Sequence, residues 1–171
     1  MLIFFACAPG FAQTPELDAL FGQLVTADEA AAGRIEKDIW RIWSRSGSPA
    51  FDLLLERGRR AMEQGDLDAA IEHLTALTDH APDFAEGWNA RATAYFQAGQ
   101  FGPSVADIHH TLALNPRHFG ALSGFGMILE AMGRPDQALT VYRAALAIHP
   151  HLQAVLEAVK RLEAKAAGQE I

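Results

Sequence analysis

The sequence predicts an all-α protein built as a solenoid of stacked helix pairs, and a period in the sequence is the main reason. Pro82, Pro116 and Pro150 are 34 residues apart, and each follows a segment with the apolar spacing of a helix. Glycine recurs with the same period, at one position of each unit: Gly65, Gly99 and Gly133. Repetition at a fixed period of this length is typical of repeat proteins, in which each unit is one supersecondary structure.

Composition is that of one folded domain and argues against nucleic acid as a partner. The 171 residues include 14 Lys+Arg and 21 Asp+Glu, which gives a net charge of −7. Half of the residues are apolar, so the chain can bury a core and is not globally disordered. An acidic protein repels the phosphate backbone unless its cations are clustered, and the sequence contains no block of Lys and Arg.

Residues 1–12 have the pattern of a signal peptide without its basic beginning. They carry no charge, open with an apolar run and end in Gly10-Phe11-Ala12, which is similar to a signal-peptidase site. The missing basic region indicates that the true start lies upstream. The segment is shorter than the roughly 18 residues that a membrane-spanning helix needs, so we predict no stable membrane span.

We therefore predict export to a bacterial periplasm or to the medium, with a cytoplasmic location as the alternative. Cys7 is the only cysteine and would be removed with the leader. A mature chain without thiols suits an oxidising compartment. A lipoprotein acylated at Cys7 is a weaker alternative, because the leucine usual three positions before such a cysteine is absent.

Residues 13–47 predict an N-terminal helical hairpin that caps the first repeat. Thr14-Pro15 begins one helix, and Thr26 to Glu29 reads as a capping box for the next. Both helices have an apolar face, formed by Leu17, Leu20, Phe21 and Leu24 in the first and by Ile35, Ile39, Trp40, Ile42 and Trp43 in the second. We expect Trp40 and Trp43 to be buried against the first repeat, and the alternative is an exposed aromatic anchor for a partner.

Residues 48–152 contain three units, at 51–84, 85–118 and 119–152. Their eighth and twentieth positions are always small: Gly58, Ala92 and Gly126, and Ala70, Ser104 and Ala138. Small residues let two helices approach closely, while large apolar residues at positions four, eleven and twenty-four fill the space around them. Glycine at position fifteen ends the first helix of each unit, and proline at position thirty-two stops the second.

Start signals divide each unit into two helices. Ser48-Pro49 places proline at a first helical position, and Asp83 to Glu86 reads as a capping box. The six predicted helices are 49–64, 67–80, 84–98, 102–114, 119–132 and 135–148. After residue 152 the chain combines one apolar face with one charged face, which predicts a C-terminal capping helix and tail over 153–171.

The 34-residue pattern is similar to the tetratricopeptide repeat (TPR), and the similarity extends from Phe51 to Leu152. The resemblance implies a right-handed solenoid whose first helices line a concave groove that binds a peptide or protein segment. The positions that face the groove in TPR proteins hold these residues: Leu55, Arg59, Met62, Phe84, Asn89, Thr93, Phe96, Arg117, His118, Ser123, Met127 and Glu130. Asp52 and Glu86 lie on the same face.

We expect this groove to receive an acidic or carboxylate-bearing segment, because Arg59 and Arg117 lie on it above an apolar floor. The alternative is that the face is merely solvated. TPR proteins that clamp a chaperone tail carry lysine, asparagine or arginine at five positions, which are occupied here by Leu55, Arg59, Ala90, Gly120 and Gly124. That particular function is therefore not predicted.

Catalytic and metal-binding patterns are missing from the sequence. Gly120, Gly124 and Gly126 lie inside a predicted helix and do not form a phosphate-binding loop. No two of the seven histidines are four residues apart, and paired cysteines are absent. We predict a non-enzymatic interaction module without a cofactor or metal. The alternative is a self-associating structural subunit, with Trp40 and Trp43 or the last helix as its interface.

Overall fold

A computed structural model describes residues 14–169, and this part of the chain is entirely helical. It contains nine helices in chain order: α1 Pro15–Thr26, α2 Glu29–Trp43, α3 Pro49–Glu63, α4 Leu67–His80, α5 Ala85–Gln97, α6 Phe101–Leu114, α7 Phe119–Ala131, α8 Pro135–Ile148 and α9 Gln153–Gln169. The leader predicted over residues 1–12 and the end of the tail lie outside the described residues.

Three helix pairs, α3 with α4, α5 with α6 and α7 with α8, form the three 34-residue units. The first helices α3, α5 and α7 also contact one another in that order, and we call the surface that they form the inner surface. At the C-terminus, α9 packs on α8 and covers the end of the last unit. The solenoid of helix pairs that the sequence period predicts is thus confirmed.

Small residues stand where the two helices of a unit meet. An added Cβ on Gly126 would lie 2.2 Å from Cε1 of Tyr142, and one on Gly58 would lie 2.5 Å from Cγ of Leu74. The large side chain of the second helix therefore occupies the space that the glycine of the first leaves open. Gly65, Gly99 and Gly133, which follow the first helices, have φ angles of 77°, 72° and 70°. This left-handed backbone conformation is disfavoured by a Cβ.

Two predicted helix starts are wrong in detail. Because α1 continues to Thr26, the N-cap of α2 is Asp28, whose Oδ1 accepts the N–H of Ala31 over 2.8 Å. The N-cap of α5 is Phe84, with no side-chain hydrogen bond, so Asp83 does not close a capping box. Glu86, the expected partner of Asp83, instead turns its carboxylate towards donors from other elements, Arg59 and the buried His118.

The hairpin of α1 and α2 does not cap the first repeat as predicted. Its core joins the third unit, at Phe119 of α7 and at Ile148 and Leu152 beyond it. The core of the first unit is a separate cluster that contains no hairpin residue. The apolar face of α2 packs on apolar side chains at the third unit. By contrast, the side of α3 next to the hairpin is lined largely by charged groups, which offer it no apolar contact.

Between residues 14 and 169, none of the helices is both long and apolar enough to cross a membrane.

Candidate functional site

Trp40 and Trp43 pack on the start of α7, where the second unit joins the third. They stand on the same face of α2 because residues three apart in a helix are neighbours. The Trp43 indole stacks on the ring of His118 with 4.3 Å between ring centroids, and it lies 5.0 Å from the ring of Phe119. The Trp40 ring meets both of these rings edge-on, at 5.4 and 5.6 Å. Trp43 is thus buried and Trp40 half-buried, and both pack against the third unit rather than the first.

Gly120 makes room for one of these indoles. An added Cβ at this position would lie 2.7 Å from Cη2 and 2.9 Å from Cζ2 of Trp40. These are ring atoms of a side chain that is held on several sides, so the ring cannot give way easily. We call the surface of His118, Phe119 and Gly120 the indole site.

A buried carboxylate connects the inner surface to the hairpin. The side chain of Glu86 is 2% exposed and accepts hydrogen bonds from Arg59 at 2.5 Å, from His118 Nε2 at 2.9 Å and from Asn89 at 3.2 Å. Arg59 also donates to the hydroxyl of Ser44, at the end of α2. The arginine is therefore shared between the second unit and the hairpin, and its charge is balanced within the chain.

Polar contacts hold the rest of the hairpin in place. Arg117 donates to Asp18 of α1 over 2.6 Å, and its guanidinium lies 4.4 Å from the centroid of the Phe21 ring. On the far side, Glu36 Oε2 of α2 lies 3.3 Å from Nε2 of the buried His149. Burial lowers the pKa of His149, and the nearby carboxylate of Glu36 partly opposes this shift.

The structure brings four of the predicted groove residues together beneath the hairpin, namely Arg59, Asn89, Arg117 and His118. That Arg59 and Arg117 attract an acidic segment to this face stays a prediction, but neither guanidinium is without a carboxylate partner. This pairing removes the sequence-based reason for expecting an acidic ligand.

Other predicted groove residues belong to the core or to local contacts. Leu55 and Phe84 are buried in the cluster between α3, α4 and α5, so they are not on an open surface. Ser123 donates its hydroxyl to the carbonyl of Phe119 in its own helix. Glu130 accepts from Arg161 of α9 and from the Tyr142 hydroxyl, and these hydrogen bonds, that from Arg161 first, lower the pKa of its carboxyl group.

Four predicted groove residues lie on the inner surface outside these contacts: Thr93 and Met127 are exposed, and Met62 and Phe96 are half-buried. We call these four the open strip. They come from the second halves of α3, α5 and α7, beyond the part that the hairpin covers. Met127 is 49% exposed and is one of four large apolar side chains exposed in the described part of the chain.

Sequence reasoning missed the indole site and the position of Glu86. The available signal was Gly120, which carries no side chain at a position that faces the groove in TPR proteins. A glycine there leaves a space, but nothing in the sequence identifies the residue that fills it. As to metals, residues 14–169 contain no group of three side chains that could hold an ion.

Comparison with known proteins identifies the class to which this chain belongs. A family model described as tetratricopeptide repeat matches residues 55–106 and 90–152. A TPR repeat-containing protein of Rhizobium etli is 39% identical over 153 residues, which cover 89% of this chain and 75% of that protein. The chain belongs to the tetratricopeptide repeat family, as its 34-residue period predicts.

Solved structures have the same fold. The first TPR domain of Spaghetti (RPAP3), solved with the HSP90 peptide SRMEEVD, has a TM-score of 0.67 and 26% identity, and covers 70% of this chain and 98% of that one. MamA has a TM-score of 0.63 and 22% identity, and covers 85% of this chain and 83% of that one. The similarity to MamA extends beyond the three units of this chain. At 22% identity it shows a shared fold and nothing about function.

Proposed function

We propose that this protein is a non-enzymatic interaction module that binds an apolar segment of a partner protein on the open strip. The observation that carries the proposal is the exposure of Met127 and Thr93 on the inner surface, to which α3 and α5 also contribute the half-buried Met62 and Phe96. Methionine adapts its shape to different apolar partners, and phenylalanine offers a flat face. Similarity to a TPR domain that was solved with a bound peptide supports a role in protein binding.

An acidic chaperone tail is not the segment that we propose. The RPAP3 domain was solved with a peptide that contains two glutamates. In this chain the arginines of the inner surface are paired with Glu86 and Asp18. Binding an acidic tail would require these pairs to break, and the new contacts would only replace those that were lost.

Photo-cross-linking in the native cell tests the proposal. A photoreactive amino acid replaces Met127 in the full chain, and in the control it replaces Met132, which is 46% exposed at the end of the same helix. We expect a partner to be cross-linked from position 127 and not from 132. In a second arm, the peptide SRMEEVD should not bind the purified chain.

The same arrangement gives a second test through charge. The partner identified by cross-linking is then tested for binding to chains without the photoreactive residue. Met127→Glu should prevent its capture, because a carboxylate on the open strip would have to be desolvated against an apolar segment. Met132→Glu adds the same charge at the control position and should leave capture unchanged. Equal capture by both variants, or equal cross-linking from both positions, would refute the open strip as the binding surface.

We also propose that the module works outside the cytoplasm, in the bacterial envelope. The uncharged apolar run in residues 1–12 and the absence of cysteine after Cys7 support this location. The natural protein isolated from cells should begin at or near Gln13. Finding Met1 intact in the soluble cytoplasm would refute export without affecting the open strip.

Self-association remains the alternative function, but the positions of the two tryptophans weaken the argument for it. Trp43 is buried and Trp40 half-buried against α7, so they do not form an exposed aromatic pair. The charged outer face of α9 is a weak basis for a stable dimer. The mass of the purified protein at several concentrations decides between the two functions, since a constant monomer contradicts self-association.

A further inference from the structure

We propose that the indole site is an acceptor for an amphipathic helix with two tryptophans three residues apart, and that a helix of this pattern from a partner protein displaces α2. The site lies at the start of α7, apart from the open strip in the second halves of the inner helices. It is a second binding surface, and its occupant in this structure is the chain's own α2.

The geometry of the site selects indole rings. The His118 ring offers a flat face, on which Trp43 stacks at 4.3 Å with 17° between the ring planes. Gly120 has no side chain, and the six-membered ring of the Trp40 indole fills the space that this leaves. The Phe119 ring packs against both indoles, with its centroid 5.6 Å from that of Trp40 and 5.0 Å from that of Trp43. Such a combination of a stacking face and a slot for a second large ring is poorly matched by a helix with aliphatic residues at these positions.

An acidic side chain adds a third element of recognition. Glu36 stands four residues before Trp40, on the same side of α2, and its carboxylate lies near His149. The same side chain accepts a hydrogen bond from the indole Nε1 of Trp40 over 3.3 Å. A partner helix should therefore carry an acidic residue four positions before its first tryptophan.

Two features make α2 an occupant that can be displaced. First, α1 and α2 pack closely against each other, while their contacts with the solenoid are made by side chains. The hairpin can thus move away as a unit that keeps much of its own core. Second, Nε1 of Trp43 is buried without a hydrogen-bond partner among residues 14–169. An unpaired buried donor weakens the fit of α2, and a competing helix that supplies an acceptor avoids this penalty.

Tethering explains why the site is filled in the free protein. The hairpin joins α3 through residues 44–48 only, and a short connection gives α2 an effective concentration of about millimolar at the site. A helix from another molecule must overcome this advantage. Its apparent affinity is reduced by the small fraction of molecules in which α2 is detached.

A peptide with the sequence of residues 28–45 is the probe that tests the proposal. It is labelled with a fluorophore and titrated into the full chain, and its anisotropy is measured. We expect weak binding to the wild-type chain and at least about tenfold tighter binding to Trp40→Ala/Trp43→Ala, because this variant no longer fills the site. The matched control, Arg41→Ala, changes an exposed residue of the same helix and should bind the peptide like the wild type.

Two further arms establish that the peptide occupies the indole site. A peptide in which both tryptophans are alanine should not bind to any variant. Adding Gly120→Leu to the chain that lacks both tryptophans should abolish the gain in affinity, since leucine fills the slot. Because none of these readouts involves Met127 or the other residues of the open strip, the result is independent of the proposed function.

A milder variant covers the case in which the loss of both indoles unfolds the protein. Asp18→Ala/Glu36→Ala weakens the polar contacts of the hairpin and keeps both rings, and it should bind the peptide about threefold more tightly than the wild type. Peptide binding that is no tighter in either variant, with helical circular dichroism retained, would overturn the proposal. A concentration-dependent dimer of the wild-type chain would also overturn it, by assigning the site to a second copy.

Discussion

The imidazole of His118 donates from Nε2 to the carboxylate of Glu86 over 2.9 Å, and both side chains are almost completely buried. The other ring nitrogen, Nδ1, accepts the backbone N–H of Ala121 over 3.1 Å and so caps α7. Since Nδ1 is an acceptor, the proton of the neutral ring lies on Nε2. One imidazole therefore links a helix start to a carboxylate that also binds Arg59 of α3.

Glu86→Ala should lower the free energy of unfolding by about 3 kcal/mol, because His118 and Arg59 both lose their acceptor. The figure is at the lower end of the range for buried pairs, since the Arg59 side chain is 37% exposed. The control is Glu56→Ala, which removes an exposed partner of Arg60 and should cost no more than about 0.5 kcal/mol. Urea denaturation measures both, and similar losses would mean that Glu86 is not structurally special.

Gly126→Ala and Gly124→Ala form a pair of substitutions two residues apart with opposite expected effects. An added Cβ at position 126 meets the Tyr142 ring, so this variant should lose about 1–3 kcal/mol through overpacking. At position 124 nothing lies within 4 Å of the added atom. That variant should gain about 0.5–1 kcal/mol, because alanine loses less backbone entropy in a helix. Thermal denaturation gives the sign of each change, and a loss at both positions would contradict this account.

The solenoid is predictable from the sequence because each repeat carries its own local signals. Gly126 and Pro150 act through near neighbours, at a helix contact and at a helix stop, and the same signals occur at equivalent positions of the other units. Their meaning does not depend on distant parts of the chain. The helix bounds therefore agree closely with the prediction, whereas the capping box predicted at Asp83 does not form, and Glu86 binds Arg59 and His118 instead.

The site is less predictable because it depends on contacts between residues far apart in the chain. Trp40 and Gly120 are 80 positions apart, and neither residue type indicates the other. The family positions correctly identify Arg59 and His118 as residues of the inner surface. They do not reveal that Glu86 binds both side chains or that the hairpin covers them, since this requires knowing where α2 docks.

Arg91→Lys should destabilise the protein by about 2 kcal/mol, although it preserves the charge. The guanidinium binds both oxygens of Asp107 at 2.7 and 2.9 Å and donates to the hydroxyl of Thr78 at 2.8 Å. These contacts join α5 to α6 and α4, and a lysine ammonium cannot make them all with one fixed geometry. Arg143→Lys is the control, because its pair with Glu163 is exposed. Equal unfolding midpoints for the two variants would contradict a structural role for the guanidinium.

His149 should make the stability of the protein depend on pH below neutrality. Burial lowers the pKa of this imidazole, and the charge of Glu36 only partly offsets the effect, while His151 lowers it further. His149 therefore becomes protonated at a lower pH in the folded protein than in the unfolded chain, where a histidine titrates at about pH 6.5. In that interval the unfolded state binds more protons, so the free energy of unfolding rises with pH.

The stabilisation from neutral His149 should be complete above about pH 6.5 and should be lost as the pH falls through the lower pKa of the folded state. His149→Gln keeps a polar side chain but cannot titrate, so it should reduce the slope of stability against pH in this interval. Urea denaturation of both proteins at a series of pH values between about 7.5 and 5 measures the two slopes. Histidines that do not interact with His149 contribute to both curves and cancel in their difference. Parallel curves would show that His149 takes up its proton equally well in the folded and unfolded chain, contrary to the burial of its ring beneath α2.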